Sequence, residues 1–161
     1  MKQMSVVGES MLTKMLFVCA GNTCRSPMAE VIARDVLASR ELFDVCVRSA
    51  GITAVPGHEA NVNAVLAASS AGLDLSQHRS EMLDEDTVRW ADAVIVMEEY
   101  QINWVSSLGG GQKVFVMGDG VPDPFGCDKH TYDEVFRILH SLISDVLQSL
   151  FRDNISEKKL K

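Results

Sequence analysis

A cysteine and an arginine six positions apart, Cys19 and Arg25, frame the run Phe17-Val18-Cys19-Ala20-Gly21-Asn22-Thr23-Cys24-Arg25-Ser26-Pro27. A thiol can attack phosphorus, and a guanidinium offers a planar fork that holds two phosphate oxygens at once, which a lysine cannot do. Phosphoryl transfer through a phosphocysteine is therefore the chemistry these residue types imply at this spacing. Gly21 and Asn22 tolerate left-handed backbone, so the N–H groups from Ala20 through Thr23, Cys24 and Arg25 to Ser26 can turn inward and cradle an anion. Cys19, at the bottom of that bowl among N–H dipoles and a guanidinium, is expected to be a thiolate at neutral pH. A lone Cys-then-Arg spacing is more often a strand-end cysteine followed by a turn. Here the flanking elements reverse that judgement.

The apolar run Met15-Leu16-Phe17-Val18 stops at Cys19, and an amphipathic stretch from Ser26-Pro27 carries Met28, Ile32, Val36 and Leu37 at helical spacing. That is a strand, a six-residue loop and a helix. Ser26 is expected as the N-cap and Pro27 as the first helical residue, where a missing N–H does no harm. The start of that helix would face the bowl and add its own favourable field for an anion.

Strand and helix signals alternate along the rest of the chain. Residues 44–50 alternate apolar and polar as a half-buried strand does, ending at Gly51. An Ala-rich helix is expected over 59–71 with Gly72 as its stop, and another from Asp84, whose first turn is crowded with Asp84, Glu85 and Asp86. Residues 93–97 form a continuous apolar run, as in a parallel strand buried on both faces. A short helix over 98–107 should turn Trp104 and Val105 toward the sheet, and the next strand is 113–117. A final helix over 130–152 would bury Val135, Ile138, Leu139, Leu142, Ile143, Val146, Leu147 and Leu150. The pattern calls for an α/β fold, a three-layer sandwich of parallel sheet with helices on both faces. One domain over 15–152 is expected, between a flexible leader over 1–14 and a charged tail over 153–161, with Met11 and Met15 each offering a start.

With 161 residues, 47% hydrophobic and 23% charged, the chain has the composition of one soluble domain, and no apolar run is long enough to span a membrane. A net charge of −7 argues against nucleic acid or an anionic membrane as partner, yet leaves room for a local positive field around Arg25. Cys19, Cys24, Cys46 and Cys127 are scattered without a secreted-type framework or a paired Cys-x-x-Cys zinc site, so a reducing cytoplasm is the expected setting, with no metal and no cofactor. Cys24 shares the loop with Cys19. It is either a redox partner that shields the nucleophile in a reversible disulfide or a small apolar side chain under the loop.

From Val18 to Pro27 the chain resembles the low-molecular-weight protein tyrosine phosphatases, whose signature is Cys, five residues, Arg, Ser, with Gly-Asn and a second Cys inside. Weaker agreement at Arg48-Ser49-Ala50-Gly51, Gln77-His78-Arg79-Ser80 and Val94-Ile95-Val96-Met97 extends the resemblance from about Met15 to about Leu150. The resemblance implies a four-stranded sheet in the order 2-1-3-4, a phosphorylated protein as substrate and inorganic phosphate as product. A monomer is expected, with a dimer left open. It further implies an Asp-Pro pair as general acid, for which Asp123-Pro124-Phe125 stands in the right region. Proline stiffens that segment while Gly118, Gly120 and Gly126 let it curl. Asn22, Ser26, Ser49 and His78 match the family's polar brace beneath the loop, and Ser26 can also donate to the Cys19 sulfur.

The chain departs from tyrosine-specific members in the substrate pocket. Those carry a bulky aliphatic residue where Thr23 stands, an aromatic near Val55, and two aromatics where Phe125 and Gly126 stand. Thr23 with Asp123-Pro124-Phe125-Gly126 is more similar to the protein-arginine phosphatase branch, where a hydroxyl suits a guanidinium and a smaller rim gives a phenyl ring less to stack on. Both phosphotyrosine and phosphoarginine remain open as substrates, with the weight toward phosphoarginine. Two readings outside this class also stay open: arsenate reduction through a cysteine relay, for which Cys127 is the one candidate, and a non-catalytic phosphate-binding module. The intact set of Cys19, Arg25 and Asp123 speaks against the latter.

Overall fold

Successive side chains of β1 (Lys14–Cys19) point to opposite faces of a sheet, and both faces are covered. Met15, Phe17 and Cys19 lie in one apolar cluster, Leu16 and Val18 in another, all but closed to solvent. Each large side chain so buried contributes about 1.5–3 kcal/mol. This computed structural model describes residues 12–151.

Three more strands, β2 (Cys46–Gly51), β3 (Ala93–Val96) and β4 (Val114–Val116), lie parallel with β1 in the order β2-β1-β3-β4, as the resemblance implied. Val18 pairs with Ala50 on one side and Val96 on the other, and Cys19 is opposite Gly51. Chain order reverses between β1 and β3, which opens a crevice at their carboxyl ends. The loop after β1 leaves the sheet there.

Five α-helices are found among the described residues, in chain order α1 (Arg25–Ser39), α2 (Val62–Ser70), α3 (Glu85–Trp90), α4 (Gln101–Val105) and α5 (Lys129–Leu150). Helices α1, α2 and α5 cover the Met15 face. Helices α3 and α4 cover the Leu16 face, giving the three expected layers. Asn61, Asp84 and Asp128 cap α2, α3 and α5 by accepting an N–H from Asn63, Thr87 and Thr131.

Some local expectations need correction. Helix α2 starts at Val62 because Asn61 takes the cap, leaving residues 59–61 outside it. Val105 is buried, but Trp104 is 49% exposed: α4 is a single short turn that runs into a wide turn over Ser106–Gly110, so one side of it faces the sheet. On α5 the buried stripe is Tyr132, Val135, Phe136, Leu139, Ile143 and Leu147. Leu142, Val146 and Leu150 flank it, and Ile138 is 39% exposed, one step off the stripe. Of the leader, residues 1–11 lie outside the described residues; Thr13 and Lys14 each donate a backbone N–H to the Asp92 carboxylate at 2.9 Å. The tail over 153–161 also lies outside them.

Candidate active site

Cys19 ends β1 with its thiol buried, and five residues, 20–24, carry the chain into α1. The helix begins at Arg25, so Ser26 is its second residue rather than its N-cap; Cys24 takes the cap position without a side-chain bond. The loop winds straight into the first turn, which frees the Ser26 hydroxyl for another task. Pro27 becomes the third helical residue, still among those whose N–H has no partner within a helix.

Asn22 organises the bowl. Its backbone is left-handed (φ 54°) and its side chain fully buried. The amide Nδ2 donates to Ser26 Oγ at 2.8 Å and Ser49 Oγ at 3.0 Å, and Oδ1 accepts the Glu81 N–H at 2.9 Å. His78 Nε2 lies 2.8 Å from the Asn22 carbonyl, which can only accept, so Nε2 carries the proton. Burial pushes the His78 pKa below the usual imidazole value, against the opposing pull of that hydrogen bond, and favours the neutral ring. The four brace residues are thus assembled around Asn22. Ser26 Oγ is also 2.9 Å from Cys19 Sγ and 3.4 Å from the Ala50 carbonyl oxygen, so with Asn22 already donating to it, its one proton can serve the sulfur or that carbonyl.

Gly51, opposite Cys19, is a site residue that sequence reasoning missed. The N–H groups of Ile52 and Thr53 hold the carbonyls of Cys19 and Ala20 at 3.1 and 2.9 Å. A Cβ on Gly51 would stand 2.7 Å from both Ala20 O and Asn22 N, and 2.9 Å from Gly21 C, all backbone of the bowl. Gly51→Ala is expected to cost about 1–3 kcal/mol of folding stability. It should also weaken inhibition by inorganic phosphate on the order of tenfold, since the displaced atoms include a bowl N–H. Urea melts and a phosphate inhibition constant check both.

Arg25 is almost wholly buried. NH1 donates to the Val121 carbonyl at 2.9 Å and lies 3.2 Å from Glu98 Oε2; NH2 lies 3.4 Å from Asp123 Oδ2. The segment bearing Asp123 is fastened at its start by Val121 N–H to the carbonyl of Met97, the residue after β3, at 2.8 Å. Gly118 and Gly120, with φ of 56° and 102°, make the turn that returns it to the bowl. Asp123 is half exposed, and its Oδ1 accepts the Phe125 N–H at 3.1 Å. A carboxyl, a guanidinium and a thiol bonded to a serine hydroxyl therefore converge on one loop, with parts suited to proton transfer and in-line attack on phosphorus.

Cys24 is a free, buried thiol. Its sulfur is 3.1 Å from Tyr132 Oη and 3.6 Å from Thr23 Oγ1, and burial pushes its pKa up. The Tyr132 phenol is pushed up as well, by burial and by that contact. Val55, in the connection after β2, and Phe125, two residues past Asp123, are large apolar side chains left 57% and 71% exposed. Cys127 is exposed and free. Glu98, Gln101 and Tyr132 were not singled out from sequence. Glu98 could have been, since it lies two residues past β3, at the carboxyl end of a strand beside the crevice.

Residues 14–156 match the family model described as low molecular weight phosphotyrosine protein phosphatase. The chain is 35% identical over 147 residues to a protein-arginine-phosphatase of Bacillus subtilis, covering 86% of this chain and 97% of that protein. It is 30% identical over 139 residues to the low molecular weight protein-tyrosine-phosphatase Ptp of Acinetobacter johnsonii, covering 81% and 92%. Among solved structures, a YwlE arginine phosphatase mutant with a phosphorylated active-site serine superposes with a TM-score of 0.82 at 33% identity, over 88% of this chain and 97% of that one. With the fold, the bowl and this kinship in agreement, the chain belongs to the low molecular weight phosphotyrosine protein phosphatase family and is a protein phosphatase.

Proposed function

We propose that the protein hydrolyses phosphorylated side chains of proteins through a phosphocysteine on Cys19. The observation that carries this reading is the buried Cys19 sulfur, bonded to Ser26 at 2.9 Å, at the mouth of a helix whose first residue is Arg25, itself 3.4 Å from Asp123. The sulfur attacks phosphorus as the bond to the leaving group breaks, and Asp123 gives that group a proton. Asp123, now a carboxylate, takes a proton from water as the water oxygen attacks the same phosphorus. Inorganic phosphate leaves and the sulfur regains its electron pair. The bowl N–H groups and Arg25 neutralise charge on the phosphoryl oxygens throughout. A relative solved with phosphate on its active-site serine supports a covalent phosphoenzyme on this scaffold.

The substrate side chain that fits best is phosphoarginine. Thr23 places a hydroxyl rather than a bulky aliphatic group in the bowl, the segment after Asp123-Pro124 has one aromatic where two would build a ring-stacking wall, and a relative at 35% identity bears the arginine-phosphatase name. Phosphoarginine peptides should be cleaved with a higher kcat/KM than phosphotyrosine peptides, and Thr23→Ile should shift the ratio toward phosphotyrosine by on the order of tenfold. A wild-type preference for phosphotyrosine would reverse the assignment. For Cys24, in a cytoplasmic setting, two tasks stay open: resolving an oxidised Cys19 as a disulfide, or filling space beneath the loop, where its sulfur lies 3.1 Å from Tyr132 Oη.

A further inference from the structure

We propose that Glu98, held by Gln101, is a positioning residue for Arg25: together they fix one corner of the guanidinium so that its opposite edge faces the phosphate bowl. The inference rests on the phosphatase reading above.

Arg25 is gripped from two directions at one nitrogen. NH1 reaches both the Val121 carbonyl at 2.9 Å and Glu98 Oε2 at 3.2 Å. A planar fork caught twice at NH1 cannot swing about its stem, and the edge formed by Nε and NH2 is the one with the geometry for two phosphate oxygens. Asp123 sits on that second edge, at NH2. An entering phosphate and Asp123 compete for the same nitrogen and repel each other. Asp123 can yield, because beyond the Phe125 N–H nothing among the described residues fastens its carboxylate.

Glu98 is built differently. Gln101, fully buried at the first turn of α4, accepts the N–H groups of Met97 and Glu98 on its Oε1 at 2.9 and 3.1 Å, and its Nε2 lies 3.5 Å from Glu98 Oε2. Backbone and carboxylate are thus tied to one side chain. Of the two carboxylates at Arg25, one is free to leave for proton transfer and the other stays.

Phosphate affinity measured by calorimetry, beside kcat/KM on an aryl phosphate, tests the assignment. Glu98→Ala should weaken phosphate binding and lower kcat/KM by about ten- to a hundredfold, the loss of one charge-assisted contact. Glu98→Gln, whose amide oxygen can still accept from NH1, should recover most of both. Should Glu98→Ala not fold, Glu98→Asp supplies the comparison: one methylene shorter, it should lose several-fold more than Glu98→Gln. The proposal is overturned if Glu98→Ala binds phosphate as the wild type does, or if Glu98→Gln is as impaired as the alanine or aspartate variant. If the wild type binds phosphate but turns over no phosphate ester, and Glu98→Ala loses the binding, the phosphatase reading fails while the role of Glu98 stands.

Discussion

Cys19→Ser should release phosphate from an aryl phosphate more slowly than the wild type by on the order of 10⁴-fold or more, the scale seen when a nucleophile is removed from a working site. A serine hydroxyl is a poor nucleophile without an adjacent base. The neighbouring side chains supply no such base: His78 Nε2 donates to the Asn22 carbonyl, Ser26 beside position 19 is itself a hydroxyl whose oxygen accepts from Asn22, and Asp123 is committed to protonating the leaving group. Phosphate affinity should be retained, because the bowl N–H groups and Arg25 do not depend on the sulfur. Any phosphoryl group that does reach the serine should stay, since an alkoxide leaves phosphorus far less readily than a thiolate. Intact-mass spectrometry after incubation with substrate would then find a fraction of the variant heavier by one phosphoryl group. Turnover near the wild-type rate would remove Cys19 from the reaction.

Asp123→Asn should lower kcat by about 10²–10⁴-fold on substrates with poor leaving groups, and by much less on activated aryl phosphates that depart without a proton. This split between substrates is the signature of a general acid. A purely structural role would lower both alike. Stability should barely change. Asp123 and Arg25 do form an ion pair at 3.4 Å, but the carboxylate is nearly half exposed, and such pairs contribute about 0–1 kcal/mol. The guanidinium also retains Glu98 and the Val121 carbonyl. Rates across a series of leaving groups, beside a thermal melt, separate the two effects. A uniform loss over the series would assign proton transfer to another group.

Much of this site could be read from residue types because each carries a local reason. The apolar run before Cys19, Gly21-Asn22 after it, and the amphipathic stretch from Met28 fix a strand, a left-handed turn and a helix within one short segment. Ser26 shows the limit of such reasoning. Its type suits a cap, but Asn22, Cys19 and the helix start one residue earlier compete for its position, and only the folded chain decides. Gly51 and Tyr132 escaped notice for a related reason, each acting through partners 29 to 108 positions away, while Gln101 acts on Met97 and Glu98, four and three positions back, which only the turn after β3 brings to its amide. Nothing nearby in sequence marks a glycine as backing a loop or a glutamine as an anchor. Trp104 and Ile138 were misplaced because apolar character says that a residue gains by burial, not that a short helix or a stripe's edge has room for it.

The Asn22 bracket draws on residues 49, 78 and 81, from two separate stretches of chain distant from the loop. An excised peptide spanning residues 17–27 would therefore be no miniature of the enzyme: freed from those anchors it would sample many shapes and hold anions only feebly. Acquiring the binding cup and completing the fold are one event, and partly assembled molecules should be incapable of turnover rather than merely slow.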